Sequence, residues 1–217
     1  MQGDSNFEAA RHFADFGLTE KRAGRRESAS GPGSSLKTAE PALKMLRQTV
    51  RDYDVRSVLD LGCGDWHWMR HAGFPDFRMG RTVSYEGWDA SPEMIEELNS
   101  RFADDAGQIR FSLTDISTSE IPPVDLIIAR DVFFHLPKTL TVTILDRIRA
   151  HRPLLLSTSF DNVSENHDIE DYLPIQGWGF YQINLNISPF DLGSAKVASS
   201  PEPGGEQQGS KAIYQSI

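Results

Sequence analysis

The chain has 217 residues, of which 39% are hydrophobic and 24% charged, so it is long enough to bury one sizeable core in a single domain, residues 1–217. Its formal net charge of −9 disfavours partners that are held by their phosphates, and no stretch reaches the roughly 18 continuous apolar residues of a membrane span. The first residues lack a signal-peptide pattern, and the single cysteine, Cys63, leaves no internal disulfide. We therefore expect a cytoplasmic protein with a small-molecule substrate and no nucleic-acid or membrane partner.

The first 35 residues are mixed in character and end in the loop-forming sequence SASGPGSS. Glycine and proline allow a hinge there and serine hydroxyls can reach a ligand, so we predict that the segment from about residue 7 to 35 acts as a lid. The alternative is that this stretch is only the entry to the next helix. A basic cluster, EKRAGRR at 20–26, is typical of a solvated surface turn, and the alternative is a contact to an anion.

Strand and helix patterns alternate between residues 36 and 160. Ser91 is a suitable N-cap for one of the helices, with Pro92 at its first position. Continuous apolar strands separated by helices are typical of a parallel sheet that is covered on both faces. We predict strands at 56–62, 82–89, 109–115, 124–131 and 152–160, and helices at 36–53, 65–71, 91–102 and 137–151.

The alternation stops after Phe160. Residues 161–192 form a long loop-like region, which we predict to be the substrate wall because long structureless stretches in compact domains are usually functional. Two short strands, at 195–200 and 211–217, follow within residues 193–217, and the turn-rich linker between them requires antiparallel pairing. The polar and aromatic candidates in the loop are Asn162, His167, Asp168, Trp178, Asn184 and Phe190.

Ligand-binding residues stand where three of the predicted strands end. Gly62 and Gly64 follow the first strand, where glycine lets the backbone approach a ligand closely. Asp89 ends the second strand and can accept hydrogen bonds from both hydroxyls of a ribose. Asp115 ends the third strand beside Ile116, against which an adenine ring could lie. These strand ends predict a nucleoside pocket.

The glycine pattern departs from that of a dinucleotide site. A third glycine is expected two residues beyond Asp65, but His67 stands there, so the helix N-terminus that would cradle a pyrophosphate is not expected. A nicotinamide-dependent oxidoreductase would need that glycine. A nucleotide-binding module without catalysis would keep Asp89 and need no acid–base residues, and it stays open as a second alternative.

Four segments together resemble the class I S-adenosylmethionine-dependent methyltransferases. VLDLGCG at 58–64 resembles their first motif, Asp89 their ribose-binding acid, Asp115 their adenine-side acid, and DLIIARDVFFHL at 125–136 their fourth motif. With GPGSS and INLNISPF, the pattern is similar to a bacterial group of small methyltransferases that often lack an assigned substrate. The resemblance implies an α/β, Rossmann-like, doubly wound fold with a mostly parallel sheet of about seven strands and an antiparallel last strand.

The resemblance also implies the cofactor, S-adenosyl-L-methionine, and the residues that hold it. Family members commonly have a glycine where Trp66 stands, so the carboxylate end of the cofactor must be held somewhat differently here. The implied cofactor-binding residues are Asp60, Gly62, Cys63, Gly64, Trp66, Asp89, Ala90, Asp115, Ile116 and Arg130.

Asp131 and His135 follow the fourth strand and are the candidate catalytic residues. In this architecture that strand end lies beside the sulfonium, and a histidine suits proton transfer near neutral pH. The alternative is that Asp131 caps the turn and His135 packs beneath a loop. His67 and His71 have the i, i+4 spacing of metal ligands but no third ligand with motif spacing, so we expect no metal site. We expect methyl transfer to a small acceptor, with a hydroxyl of a sugar or another metabolite as the preferred class.

Overall fold

The structure is a computed structural model, and it describes residues 16–77, 81–104, 106–160, 162–167, 181–193, 195–201 and 210–216. These residues fall into two compact units, one ending at Ser119 and the other beginning at Glu120. Each unit contains parallel strands and at least one helix, and each is described by itself.

The first unit is built on three parallel strands. β4 (Ser84–Asp89) lies between β1 (Ser57–Leu61) and β5 (Ile109–Leu113) and is parallel to both. Leu61 is paired with Trp88, and Asp89 is paired with Leu113, so the three carboxyl ends lie level. A short antiparallel pair, β2 (Asp76–Phe77) and β3 (Arg81–Thr82), lies in the same unit.

Two long helices of the first unit begin at side-chain caps. Ser35 accepts a hydrogen bond from the Thr38 N–H at the start of α2 (Leu36–Asp52), and Ser91 accepts one from the Met94 N–H at the start of α3 (Pro92–Phe102). The predicted N-cap at Ser91 is therefore confirmed. A helical segment at 16–22, α1, and a 3₁₀ turn at Pro32–Ser34 precede α2.

The second unit contains two parallel strands followed by an antiparallel pair. β6 (Leu126–Ala129) is parallel to β7 (Leu154–Phe160), and α4 (Lys138–His151) connects them. β9 (Ser210–Ser216) is antiparallel to β7 and to β8 (Ala195–Pro201). Every residue of β6 is buried, as its continuous apolar sequence predicts.

The predicted fold class is confirmed. Within the described residues, the main strands number three in the first unit and four in the second; five are paired in parallel and the last strand is antiparallel. None of the helices in the described ranges has the length and hydropathy that crossing a membrane requires.

The helix predicted at 65–71 is wrong. Gly64 and Trp66 have φ angles of 56° and 53°, in the left-handed region, so the backbone cannot continue from the glycines into an α-helix. Only a 3₁₀ turn at Met69–His71 forms. The pattern analysis also missed α1 and the β2–β3 pair, since short elements carry too little periodicity to be recognised.

Candidate functional site

The residues that follow β1, 62–66, form a tight turn that we call the glycine loop. Gly62 and Cys63 both donate backbone hydrogen bonds to the Trp88 carbonyl of β4, at 2.8 and 3.0 Å. Gly62 and Gly64 have φ angles of 69° and 56°, which glycine adopts without steric penalty. The glycine loop is therefore held against the end of β4, as a close backbone approach to a ligand requires.

Asp89 is the acidic group at the end of β4. Its Oδ2 accepts a hydrogen bond from the Gly64 N–H at 2.9 Å, and its Oδ1 accepts one from the Ser91 N–H at 3.0 Å. Burial raises the pKa of this carboxyl above its ordinary value of 3.8, even though neighbouring backbone N–H groups favour the ionised form. Because a carboxylate has about four lone-pair directions, it can still accept hydrogen bonds from a ligand.

Three further candidates lie after β4 and β5. Ala90 follows Asp89 directly and is half-buried. Asp115 Oδ1 accepts a hydrogen bond from the Ser117 N–H at 2.8 Å, which fixes the turn after β5, and Ile116 beside it is half-buried. The carboxyl ends of β1, β4 and β5 thus bring the predicted nucleoside-binding residues of the first unit to one edge of the sheet.

Asp60 and Cys63 lie in the interior of the first unit. Asp60 Oδ2 accepts a hydrogen bond from the Tyr85 hydroxyl at 2.7 Å, and burial raises the pKa of Tyr85. The Cys63 thiol is buried, and burial, with the charges of Asp89 and Asp60, raises its pKa. A Cβ on Gly87 would lie 2.9 Å from Cys63 Sγ, so the thiol fills the space beneath β4. These two side chains support the glycine loop from below.

Trp66 occupies the position where a glycine is common in the family. Its φ of 53° lies in the region that glycine adopts freely and that costs other residues about 1–2 kcal/mol. The indole is buried, and its ring centroid lies 5.1 Å from that of Phe102, 5.3 Å from that of Phe111 and 5.7 Å from that of Tyr85. Aromatic packing offsets the backbone strain, and the side chain points into the core.

Asp65 is the residue of this region that the sequence analysis missed. Five donors reach its buried carboxylate: Lys21 Nζ at 2.6 Å, Ser28 Oγ at 2.8 Å, Ala29 N at 2.9 Å, Ser30 Oγ at 3.2 Å and His67 N at 3.3 Å. Burial would raise its pKa, but the Lys21 ammonium and the hydrogen bonds from Ala29 and Ser28 outweigh it and lower the pKa below the ordinary 3.8. The sequence did contain a signal for this contact: a carboxylate follows the glycines of the loop, and the upstream SASGPGSS segment supplies serine hydroxyls that can donate to it.

Four of these donors belong to residues 16–35, which we call the N-terminal strap. Ser30 Oγ also accepts a hydrogen bond from the Asp65 N–H at 3.1 Å, and a Cβ on Gly64 would lie 1.9 Å from this oxygen. Farther along, Glu27 Oε1 lies 2.8 Å from His67 Nε2. The described part of the predicted lid is thus docked on the glycine loop; residues 7–15 lie outside the described ranges.

The basic cluster at 20–26 is largely paired with side chains of the first unit. Lys21 binds Asp65, and Arg25 forms an exposed ion pair with Glu20. The Arg26 guanidinium lies 5.0 Å above the Phe16 ring. His71, on the other side of the glycine loop, accepts a hydrogen bond from Arg70 Nε at 3.2 Å.

The candidate catalytic residues lie in the second unit, after β6. Asp131 has a φ of 61°, and its N–H donates to Thr158 Oγ1 of β7 at 2.9 Å. The buried Arg130 pairs with Asp131, with Nη1 3.2 Å from Oδ2. His135 ends a 3₁₀ turn at Phe133–His135 and is exposed. The turn has Val132 as its N-cap, without a side-chain cap bond.

The long loop after β7 is described at 162–167 and 181–193. Its Asn184 is buried, donates from Nδ2 to the Val163 carbonyl at 3.0 Å and accepts from the Asn186 N–H at 3.0 Å. Phe190 is fully buried, whereas His167 is exposed. Asn184 and Phe190 therefore hold the loop in place. Asp168 and Trp178 lie outside the described residues.

A family model described as a methyltransferase domain matches residues 58–152, from β1 to the end of α4. No curated protein matches the chain significantly. Solved structures match along most of its length, but at identities below 20% this likeness shows the fold alone.

Three of these structures illustrate the likeness. Magnesium protoporphyrin IX methyltransferase (ChlM) from Synechocystis PCC 6803 with bound SAH has a TM-score of 0.62 at 16% identity, covering 94% of this chain and 96% of that one. The N-methyltransferase NodS from Bradyrhizobium japonicum WM9, in complex with S-adenosyl-L-homocysteine, has a TM-score of 0.57 at 15% identity, covering 92% and 96%. TehB from Haemophilus influenzae has a TM-score of 0.54 at 18% identity, covering 80% and 61%. The resemblance drawn from the four sequence motifs is confirmed.

Proposed function

We propose that this chain is a class I S-adenosylmethionine-dependent methyltransferase, which transfers the methyl group of S-adenosylmethionine to a small-molecule acceptor. The observation that carries the proposal is the placement of Asp89. Its carboxylate ends β4, level with the glycine loop, and keeps lone pairs for ribose hydroxyls after accepting two backbone hydrogen bonds.

The residues of the first unit fit the nucleoside part of this cofactor. Asp89 would hold the ribose, while Asp115 and Ile116 would lie against the adenine. Gly62 places no side chain on the loop across which the rest of the cofactor would run, whereas the space at Gly64 is taken by Ser30 Oγ. When bound, the cofactor supplies an activated methyl group, so the protein's task is to hold and orient the two reactants and to exclude water.

The local backbone also argues against a nicotinamide cofactor. A dinucleotide site needs a helix N-terminus after the glycines, where unpaired N–H groups bind the pyrophosphate. The glycine loop of this chain leads instead through Trp66 into a 3₁₀ turn at Met69–His71. Because the Trp66 ring packs in the core beneath the loop, the packing of the first unit fixes this path of the backbone.

We assign the proton-accepting role to His135, assisted by Asp131. An exposed imidazole can reach an acceptor that arrives from solvent, and Asp131 is held in place by Arg130 and by the Thr158 hydroxyl. A base is needed when the acceptor is a hydroxyl, because the proton must leave as the carbon–oxygen bond forms.

The acceptor class that we favour is a sugar or another hydroxylated metabolite. The preference rests on the polar residues of the loop after β7. The second unit also has an open depression of about 460 Å³, which is lined by Lys138, Ser164, Glu165, Asn166, Ile187, Ser188 and Pro189. The fold does not select the atom that is methylated, since its structural neighbours include an N-methyltransferase and an O-methyltransferase family protein. A net charge of −9 disfavours a nucleic-acid acceptor.

Calorimetry with S-adenosylhomocysteine (SAH) and NAD tests the cofactor. We expect the parent protein to bind SAH and not NAD, and Asp89→Asn to weaken SAH binding by about tenfold or more, since the charge of the ribose acceptor is lost. Asp104→Asn is a matched control, because Asp104 also accepts two backbone hydrogen bonds, but from Gln108 and Ile109 at the amino end of β5, opposite the carboxyl ends of the strands. Preferential NAD binding, or an unchanged Kd in folded Asp89→Asn, contradicts the proposal. A screen of hydroxylated acceptors for methyl transfer then distinguishes an enzyme from a binding module.

A further inference from the structure

We propose that Asp65 is a positioning residue that couples the N-terminal strap to the glycine loop and thereby sets the affinity for the amino-acid end of the cofactor. The inference rests on the proposed function. It assigns a role to a buried charged group and to the strap, neither of which the nucleoside-binding residues explain.

The carboxylate of Asp65 is saturated by the protein itself. Five donors reach it, against about four lone-pair directions, and the Lys21 ammonium is 2.6 Å from Oδ2. Its side chain is buried, with a relative exposure of 6%. The carboxylate therefore has no capacity left for a ligand, and its effect on binding must pass through the groups that it holds.

Asp65 holds two segments together. It belongs to the glycine loop through its own backbone, and its carboxylate and N–H bind the strap through Ser28, Ala29 and Ser30. Ser30 Oγ lies where a Cβ on Gly64 would point, so the strap contacts the loop at the glycine itself. Any movement of the strap at Ser30 must change the packing around Gly64.

The glycine loop needs such an external restraint. Its φ angles are positive at Gly62, Gly64 and Trp66, and the last of these is unfavourable for a residue with a side chain. On one side, Asp89 accepts a hydrogen bond from the Gly64 N–H. On the other side, Asp65 fixes the loop to the strap. The backbone of the glycine loop is therefore held by Asp89 at Gly64 and by the strap at Asp65.

Strand order indicates which part of the cofactor crosses this loop. The order in the first unit is β5, β4, β1. If the adenine lies at the end of β5 and the ribose at Asp89 on β4, then the amino-acid part of the cofactor, beyond the ribose, continues over the end of β1. The glycine loop follows β1, so the amino-acid end depends on it, whereas the adenosine part depends on the ends of β4 and β5.

Two ligands separate these parts experimentally. SAH carries the amino-acid end, and 5′-methylthioadenosine has the same nucleoside without it. For Asp65→Asn we expect the Kd of SAH to rise about tenfold or more while the Kd of methylthioadenosine stays within about twofold. Ser30→Ala should shift the same ligand selectively and leaves the buried charge in place, so it serves if Asp65→Asn folds poorly. Glu20→Gln is the matched control, because Glu20 lies on the strap but, within the described ranges, pairs only with the exposed Arg25.

Amide hydrogen exchange without any cofactor gives an independent measurement. The strap should exchange faster in Asp65→Asn and Ser30→Ala than in the parent protein, and at the parent rate in Glu20→Gln. Equal weakening of both ligands, unchanged SAH affinity in both folded variants, or unchanged exchange of the strap would overturn the inference. If the parent protein binds neither ligand, the proposed function itself fails, which distinguishes the two results.

Discussion

Gly64→Ala tests the contact between the strap and the glycine loop through stability. Gly64 has a φ of 56°, and the added Cβ would lie 1.9 Å from Ser30 Oγ and 3.0 Å from Ser30 Cβ. The left-handed backbone alone costs alanine about 1–2 kcal/mol. Ser30 must also move, which breaks its two hydrogen bonds with Asp65, worth about 1–3 kcal/mol together. We therefore expect a total loss of about 2–5 kcal/mol in the free energy of unfolding.

Gly107→Ala supplies the matched control. Gly107 also has a positive φ, 69°, but apart from its chain neighbours no atom of the described residues lies within 4 Å of where a Cβ would stand, so only the backbone penalty applies. Urea denaturation of both variants and of the parent protein gives the two losses in the free energy of unfolding. The loss in Gly64→Ala minus that in Gly107→Ala is the contribution of the contact with Ser30. In the Ser30→Ala background, Gly64→Ala should lower the free energy of unfolding no more than Gly107→Ala does, apart from a small adjustment where the new Cβ meets the Cβ of residue 30. If Gly64→Ala and Gly107→Ala destabilise the parent equally, the docked position of Ser30 is wrong.

Three further predictions concern pH and catalysis. Ribose hydroxyls need the ionised form of Asp89, whose pKa is raised, so SAH affinity measured by calorimetry should fall as the pH falls through that raised pKa, and Asp89→Asn should remove this dependence. The pKa of Asp65 is lowered, so its stabilisation of the strap should persist down to its ordinary pKa of 3.8 and be lost as the pH falls further. Protection of the strap amides, taken relative to the intrinsic exchange rate at each pH, that is already lost above pH 4 would contradict this. Once an acceptor is known, His135→Ala and Asp131→Ala should each lower turnover by about 10²–10⁴ with SAH affinity unchanged. Parental turnover in both would exclude them as the base, and lost SAH binding in either would assign that residue to cofactor binding.

The amino-acid sequence determined the fold class and the order of the main elements. Apolar strands of four to seven residues and amphipathic helices carry a periodic signal that does not depend on distant contacts. The caps at Ser35 and Ser91 are also local, because each side chain bonds to an N–H three residues away. For the same reason, the placement of Asp89 and Asp115 at strand ends was predictable.

Only the tertiary structure decided how the glycine loop continues and what holds it. The predicted helix at 65–71 is absent because Trp66 adopts a left-handed φ, and the aromatic neighbours that stabilise this conformation lie 19 to 45 residues away in the sequence. The contacts of Asp65 with Lys21 and Ser28 likewise span 44 and 37 residues. No local pattern reports such pairings, since they depend on which surfaces meet after the strands have assembled. A carboxylate in a glycine-rich turn is ordinary in sequence, and it becomes the link between two segments only when five donors are folded around it.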